Sequence, residues 1–161
     1  MAVAFGQQIG LSRADRQRLS TAGMLHDIGK ARIPLAILEK PGPLTADEVA
    51  VMRNHPQYGY DALRASSSVA AEMLDAVVHH HELLDGSGYP HGLRGAAIAD
   101  LTRIMTISDI FGALIERRSY KPPLSGAAAY RVLLDMGAKL DEALVRAFKF
   151  AATASEASTA A

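Results

Sequence analysis

The chain predicts an all-α fold, and three observations carry the prediction. Apolar residues recur at spacings of three and four in Ile104, Ile107, Ile110, Phe111 and Leu114. Residues suited to a helix N-terminus stand before such runs at Ser12, Thr45, Ser125 and Asp141. Alternating apolar and polar runs that would mark strands are almost absent.

In chain order, Met1 to Ile9 reads as the last turns of a helix or, equally, as a short docking helix, with Val3, Ile9 and Phe5 packing and Gly10 closing it. Ser12 caps a second helix, and Asp15 in its first turn favours the positive end of the helix dipole. That helix is expected to bury Leu19, Ala22, Gly23, Met24 and Leu25, carries His26 and Asp27 near its end, and should stop at Gly29. The proline-rich stretch Ala31 to Pro43 is a loop with one helical turn at Leu35 to Leu38. Thr45 and Glu48 form a capping box for a helix from Ala46 to about Asn54. Pro56 suits the first turn of the next helix, so His55 sits at a helix junction. Ser66 to Ser68 breaks that helix, and another is expected from Val69 to about Leu83. Gly86 to Ala97 is a glycine-rich loop, followed by helices at Ile98 to Ile115, Gly126 to Met136 and Asp141 to about Phe150. Glu116 to Pro123 is a charged turn.

The length of 161 residues suits one domain, expected over 1–150, with a small polar tail at 151–161 expected to be disordered. Lys plus Arg equals Asp plus Glu at 17 each, so no overall field points to DNA or to an anionic membrane. The absence of cysteine excludes disulfides, thiolate metal ligands and cysteine nucleophiles. No apolar run approaches the roughly 20 residues that span a bilayer, and the N-terminus lacks the pattern of a secretory leader. The expected location is the cytoplasm.

The polar exceptions to helical patterning carry the chemistry. Counting candidates gives His26, Asp27, His55, His80, His81 and Asp109. Four imidazoles and two carboxylates suit two ions with a bridging carboxylate. Ligands of nitrogen and oxygen without sulfur fit Fe, Mn, Zn, Co or Ni, while Mg prefers oxygen. Two ions can hold a hydroxide nucleophile and bind phosphoester oxygens. Each residue also has a plainer reading. His26 could answer a helix C-terminus with Asp27 on the surface, and Asp109 could pair with Arg103. Lys30 could contact a phosphate, protonate a leaving oxygen, or be surface charge. Of the remaining polar residues, His79 is read as packing or as supporting a ligand rather than ligating, His91 as surface or touching substrate, and Tyr58 and Tyr60 as core-edge residues, with stacking on guanine the alternative. Glu82 would either orient a ligand histidine or be solvated.

The segments HDIGK (His26 to Lys30), NHP (Asn54 to Pro56), HHELLDGSGYP (His80 to Pro90) and SDIFGAL (Ser108 to Leu114), in that order, resemble the HD-GYP family of HD metal-dependent phosphohydrolases. The resemblance runs from about Gly10 to Phe150. HD alone is a weak dipeptide, whereas the whole series in register is specific. The resemblance implies an HD-domain helical bundle with a bi- or trinuclear centre, often of iron or manganese. It further implies hydrolysis of cyclic di-GMP to pGpG and onward to GMP. By the same resemblance His26, Asp27, His55, His80, His81 and Asp109 are metal ligands, and Asp27 bridges. Lys30 meets the scissile phosphate, and Arg118 and Lys121 bind guanylate phosphates. Gly88, Tyr89 and Pro90 shape the substrate loop and contact a partner GGDEF domain. The spacing of Arg118 and Lys121 also reads as a cationic clamp at a helix exit, against a solvated charge run of Glu116, Arg117 and Arg118.

Three features depart from the family pattern. Members carry a metal-binding histidine, and trinuclear ones a glutamate, on the helix preceding HD, but Met1 to Gly10 contains no His, Asp or Glu. Two divalent ions are therefore expected, Fe or Mn foremost and Zn, Ni, Co or Mg also compatible, with one of them a ligand short. Gly112 stands where relatives often have another aspartate. The receiver, PAS or membrane sensor module usual in the family is missing, so the chain reads as truncated. The expected partners are a cyclic dinucleotide, a GGDEF-domain protein and a second copy of the chain. The alternative is a degenerate, non-catalytic domain that binds nucleotide or protein.

Overall fold

The computed structural model describes residues 2–116 and 122–152, and among them the regular structure is helical, with one isolated antiparallel bridge between Asp85 and Arg94. The helices are α1 (Ala2–Gln8), α2 (Arg13–Leu25), α3 (Leu35–Leu38), α4 (Ala46–Met52), α5 (His55–Leu63) and α6 (Ala71–His79). Beyond the glycine-rich loop come α7 (Asp100–Ile115), α8 (Gly126–Asp135) and α9 (Glu142–Ala147), with the chain helical again to Ala152. This is the all-α bundle that the spacing predicts.

Caps start the helices where capping residues stand. Ser12 Oγ accepts the Asp15 amide at 3.1 Å, and Asp141 accepts the amides of Ala143 and Leu144. Thr45 and Glu48 form the reciprocal box, each side chain accepting the other's backbone N–H. Helix α7 lies at the centre, in contact with α1, α2, α6 and α8. Its Ile104, Ile107 and Phe111 share one core with Phe5, Leu19, Leu133 and Phe148. Phe148 meets Phe5 edge-on at 4.7 Å and Phe111 at 5.0 Å, contacts worth about 0.5–1.5 kcal/mol each beyond area burial. The core also takes in Ala151 and Ala152, the first two residues of the expected tail.

The 3₁₀ segment Ile28–Arg32 after HD packs closely on α5. A β-carbon on Gly29 would run into the His55 carbonyl and the Gly59 amide nitrogen, so only glycine permits this approach. That contact sets Asp27 beside His55.

Helix α6 is four residues shorter than the expected Val69 to Leu83 at its C-terminal end, stopping at His79. The Val77 carbonyl, which a continuing helix would give to the His81 amide, instead bonds the His80 ring at 2.7 Å. The chain then turns, and the glycine-rich loop folds back over His81. Among the described residues no helix is long and apolar enough to cross a membrane.

Candidate metal centre

Four elements deliver side chains to one cleft of about 1220 Å³, lined among others by His26, Asp27, Lys30, His55, His81, Tyr89 and Asp109. Three of the histidines are presented in the same way. The ring Nδ1 of His26 lies 2.8 Å from the Gly23 carbonyl, that of His55 2.8 Å from Met52, and that of His80 2.7 Å from Val77. Each carbonyl is three residues back, in the last turn of a helix, where carbonyls lack an amide partner. The Met52 case is dictated by sequence: its partner would be residue 56, which is proline and has no N–H. A carbonyl can only accept, so each Nδ1 carries the proton and each Nε2 turns a lone pair inward.

Inside the cleft, His55 Nε2 stands 3.3 Å from His80 Nε2 and 3.3 Å from Asp27 Oδ1. The other Asp27 oxygen lies 3.4 Å from His26 Nε2 and 2.7 Å from Lys30 Nζ. His26 Nε2 is also 3.3 Å from Asp109 Oδ1, and Asp109 Oδ2 is 3.9 Å from His81 Nδ1. Two groups have ligand atoms all within 4.8 Å of one another: His55, His80 and His81, and His26, His80 and Asp109. The donor set fits metal ions. Two Nε2 lone pairs facing each other at 3.3 Å repel unless a cation or proton lies between them, and both Nδ1 protons are already committed.

Electrostatics agree with a site kept unprotonated. Burial, then the neighbouring rings of His81 and His26, holds His80 well below the usual histidine value. Burial likewise pushes His81 down to about 3, with His55 adding to the shift. Burial opposes charge on Asp27 too, but the adjoining His55 ring and the hydrogen bond from Lys30 outweigh it and hold the carboxyl below its ordinary range. His26 is the exception: burial lowers it, yet Asp109 and Asp27 together raise its pKa above the usual value.

The six ligand candidates therefore converge, with Lys30 against them. The plainer pairing for Asp109 does not form, because Arg103 bonds Asp141 at 3.1 Å and the carbonyls of Ile98 and Gly95. Gly88 packs so tightly on the backbone of residues 81–83 that a β-carbon would overlap it. Tyr89 stacks on the His81 ring at 4.7 Å and 24°, followed by a cis peptide to Pro90. Arg118 and Lys121 lie outside the described residues.

Two features escaped the sequence reading. Glu82 is neither solvated nor bonded to a ligand histidine. It is 1% exposed and accepts the backbone N–H groups of His91, Gly92 and Leu93 at 2.6, 3.0 and 3.0 Å. It thus ties down the far side of the loop that carries Tyr89. His79 is not packing alone: its ring joins Asp75 at 2.9 Å and His91 at 3.0 Å, and Asp75 accepts from Thr102 at 2.9 Å. The spacing of Asp75 and His79, one helical turn, was the available signal for that second network.

The family model described as "HD domain" matches residues 1–144. A cyclic di-GMP phosphodiesterase of Pseudomonas aeruginosa is 38% identical over 146 residues, 91% of this chain and 35% of that protein. The cyclic di-GMP phosphodiesterase response regulator RpfG of Xanthomonas campestris is 42% identical over 127 residues, 77% of this chain and 34% of that one. A 3'3'-cGAMP-specific phosphodiesterase of Vibrio cholerae is 43% identical over 115 residues, 71% of this chain and 22% of that protein. This chain thus spans about a third or less of the length of these relatives. Among solved structures, Bd1817, a HDG"Y"P protein from Bdellovibrio bacteriovorus, superposes with a TM-score of 0.75 at 20% identity, over 92% of this chain and 47% of that one. That neighbour speaks for the fold, and the sequence relatives and the matched model speak for descent. The chain belongs to the HD domain family, as an HD-GYP domain.

Proposed function

We propose that this domain is a metal-dependent phosphodiesterase that hydrolyses cyclic di-GMP to pGpG and onward to GMP. The observation that carries the reading is the position of Asp27, with one oxygen facing His55 and the other facing His26 and Lys30. A carboxylate so placed would contribute an oxygen to each of two ions. His55, His80 and His81 would hold one, and His26 and Asp109 the other, with iron or manganese the best match to the donors. When bound, the ions supply Lewis acidity toward phosphoryl oxygens and an activated water.

Hydrolysis joins a water oxygen to phosphorus and breaks the bond to the ribose 3′ oxygen, which leaves with a proton. The protein's own groups divide that work. The depressed pKa values of His80 and His81 keep both rings neutral and ready to ligate near pH 7. Lys30, at 2.7 Å from Asp27, is within reach of a phosphate seated beside that carboxylate and can donate to it or to the leaving oxygen. Tyr89, with Gly88 and Pro90, forms the wall over His81. Arg118 and Lys121 are assigned to the guanylate phosphates on the family resemblance. The same loop is the candidate contact for a GGDEF-domain protein. The whole of 1–150 is taken as the catalytic unit, working in the cytoplasm, as one chain or two.

The relatives that act on 3'3'-cGAMP favour a second substrate of the same class, a cyclic dinucleotide with one adenine. The test is anaerobic purification, elemental analysis, and chromatography of products from each dinucleotide with added Mn or Fe. Two tightly held ions per chain and pGpG formation are the expected result. At most one loosely held ion and no turnover would overturn the reading in favour of a non-catalytic binding module.

A further inference from the structure

We propose that Arg53 is a substrate-binding residue that receives the second, non-scissile phosphate of the cyclic dinucleotide, an inference that rests on the substrate class proposed above. The residue ends α4, two positions before His55, and is exposed. Its guanidinium lies over the Tyr89 ring, 5.1 Å from the centroid, and Tyr89 in turn stacks on His81. The three side chains form a column that starts at the metal ligand His81 and passes through Tyr89, both of which line the cleft as does Met52, the neighbour of Arg53 in the chain.

Charge accounting singles out this residue. Lys30 and Lys40, which line the cleft, are already matched by Asp27 and Glu48. Among the described residues Arg53 has no carboxylate partner, so its charge remains available to a ligand. A guanidinium already placed over an aromatic ring has less freedom to lose on binding, and it offers paired donors to a phosphate. A cyclic dinucleotide carries two phosphodiesters. With one at Asp27 and Lys30, the other meets the cations assigned above to the guanylate phosphates, Arg118 and Lys121, and Arg53 on Tyr89 adds a further cation beside the cleft wall.

The experiment compares the wild type with Arg53→Ala and Arg53→Lys, all Mn-loaded, at low and high salt. Affinity for cyclic di-GMP is read as KM where turnover occurs and as calorimetric Kd where the protein only binds. Arg53→Ala should weaken affinity about tenfold at low salt, and the gap should shrink as salt screens the charge. Arg53→Lys should recover part of the loss, since a lysine keeps the charge without the planar fork. Equal affinity in the alanine variant, or a loss that neither salt nor lysine alters, would overturn the assignment. Binding that depends on Arg53 without any turnover would keep this inference and overturn the hydrolase reading. Turnover with affinity indifferent to Arg53 would do the reverse, and no binding by the wild type would overturn both.

Discussion

Replacing Glu82 with Gln tests whether one buried carboxylate holds the loop that covers the metal ligands. Glu82 Oε1 accepts from His91 and Gly92 at 2.6 and 3.0 Å, and Oε2 accepts from Leu93 at 3.0 Å. Glutamine keeps the shape and can satisfy the first two donors with its one oxygen. Its amide group must then face the Leu93 N–H, so a charge-assisted bond worth about 1.5–3 kcal/mol is lost and two donors are opposed. Loss of the charge weakens the two surviving bonds as well, and about 3 kcal/mol in all is a reasonable sum. For a domain of this size that corresponds to a fall of roughly 6–12 °C in Tm. Calorimetry gives the Tm, and amide exchange at residues 86–93 shows whether the loop opens ahead of the rest. Glu72→Gln is the control. Its ion pair with Arg18 leaves the Glu72 side chain 65% exposed, and its loss should cost under about 1 kcal/mol. If Glu82→Gln melts within 2 °C of the control variant, by order of magnitude a shift of under about 1 kcal/mol, and loop exchange is unchanged, the carboxylate does not anchor the loop.

Four further outcomes follow from the same geometry. Asp27→Ala should remove most bound metal by elemental analysis, and unchanged metal content would refute the bridging role. Gly29→Ala should cost about 1–3 kcal/mol or more in urea unfolding and lower metal affinity, because the new methyl meets rigid backbone of His55 and Gly59. Gly112→Ala, with nothing within 4 Å of its β-carbon, should instead raise stability by up to about 1 kcal/mol through helix propensity. In chelator, the protein should lose stability between pH 7.5 and 5.5. His80 and His81 have folded pKa values below the unfolded value near 6.5, so the unfolded chain binds the extra protons as pH falls. His81 alone gives a loss of about 1–1.5 kcal/mol over that interval, His80 acts in the same direction, and His26, whose pKa is raised, partly offsets them. A higher urea midpoint at pH 5.5 would contradict the burial of these rings.

Local features of this fold are readable from sequence wherever the deciding interaction is itself local. Ser12 with Asp15, Thr45 with Glu48, and the turn at Leu35–Leu38 all form as spacing predicts. The end of α6 was misjudged for the complementary reason. Val77 through Leu83 stays compatible with a helix, and what stops it is the His80 ring taking the Val77 carbonyl. Glu82 was out of reach because its three partners arrive only after the chain has turned through residues 85–90. Asp109 could be placed only once Arg103 was seen to be engaged by Asp141, thirty-eight residues away in the chain.

The three matched rings explain why the histidines stand at helix ends. In the middle of a helix the carbonyl three residues back already has an amide partner, so the imidazole would lack a fixed acceptor. At the last turn the carbonyl is unpaired, and the ring's bond to it satisfies the backbone while fixing the tautomer. The same bond orients Nε2 toward the cleft, so one interaction serves both stability and ligation. Its cost appears where His55 and His80 meet, because two fixed lone pairs at 3.3 Å cannot relieve each other by exchanging a proton. Burial makes protonation a poor remedy, as the lowered pKa of His80 records. A bound cation relieves the repulsion without charging either ring. Folding and metal affinity are therefore coupled through these helix ends, and a substitution that frees one carbonyl should weaken both together.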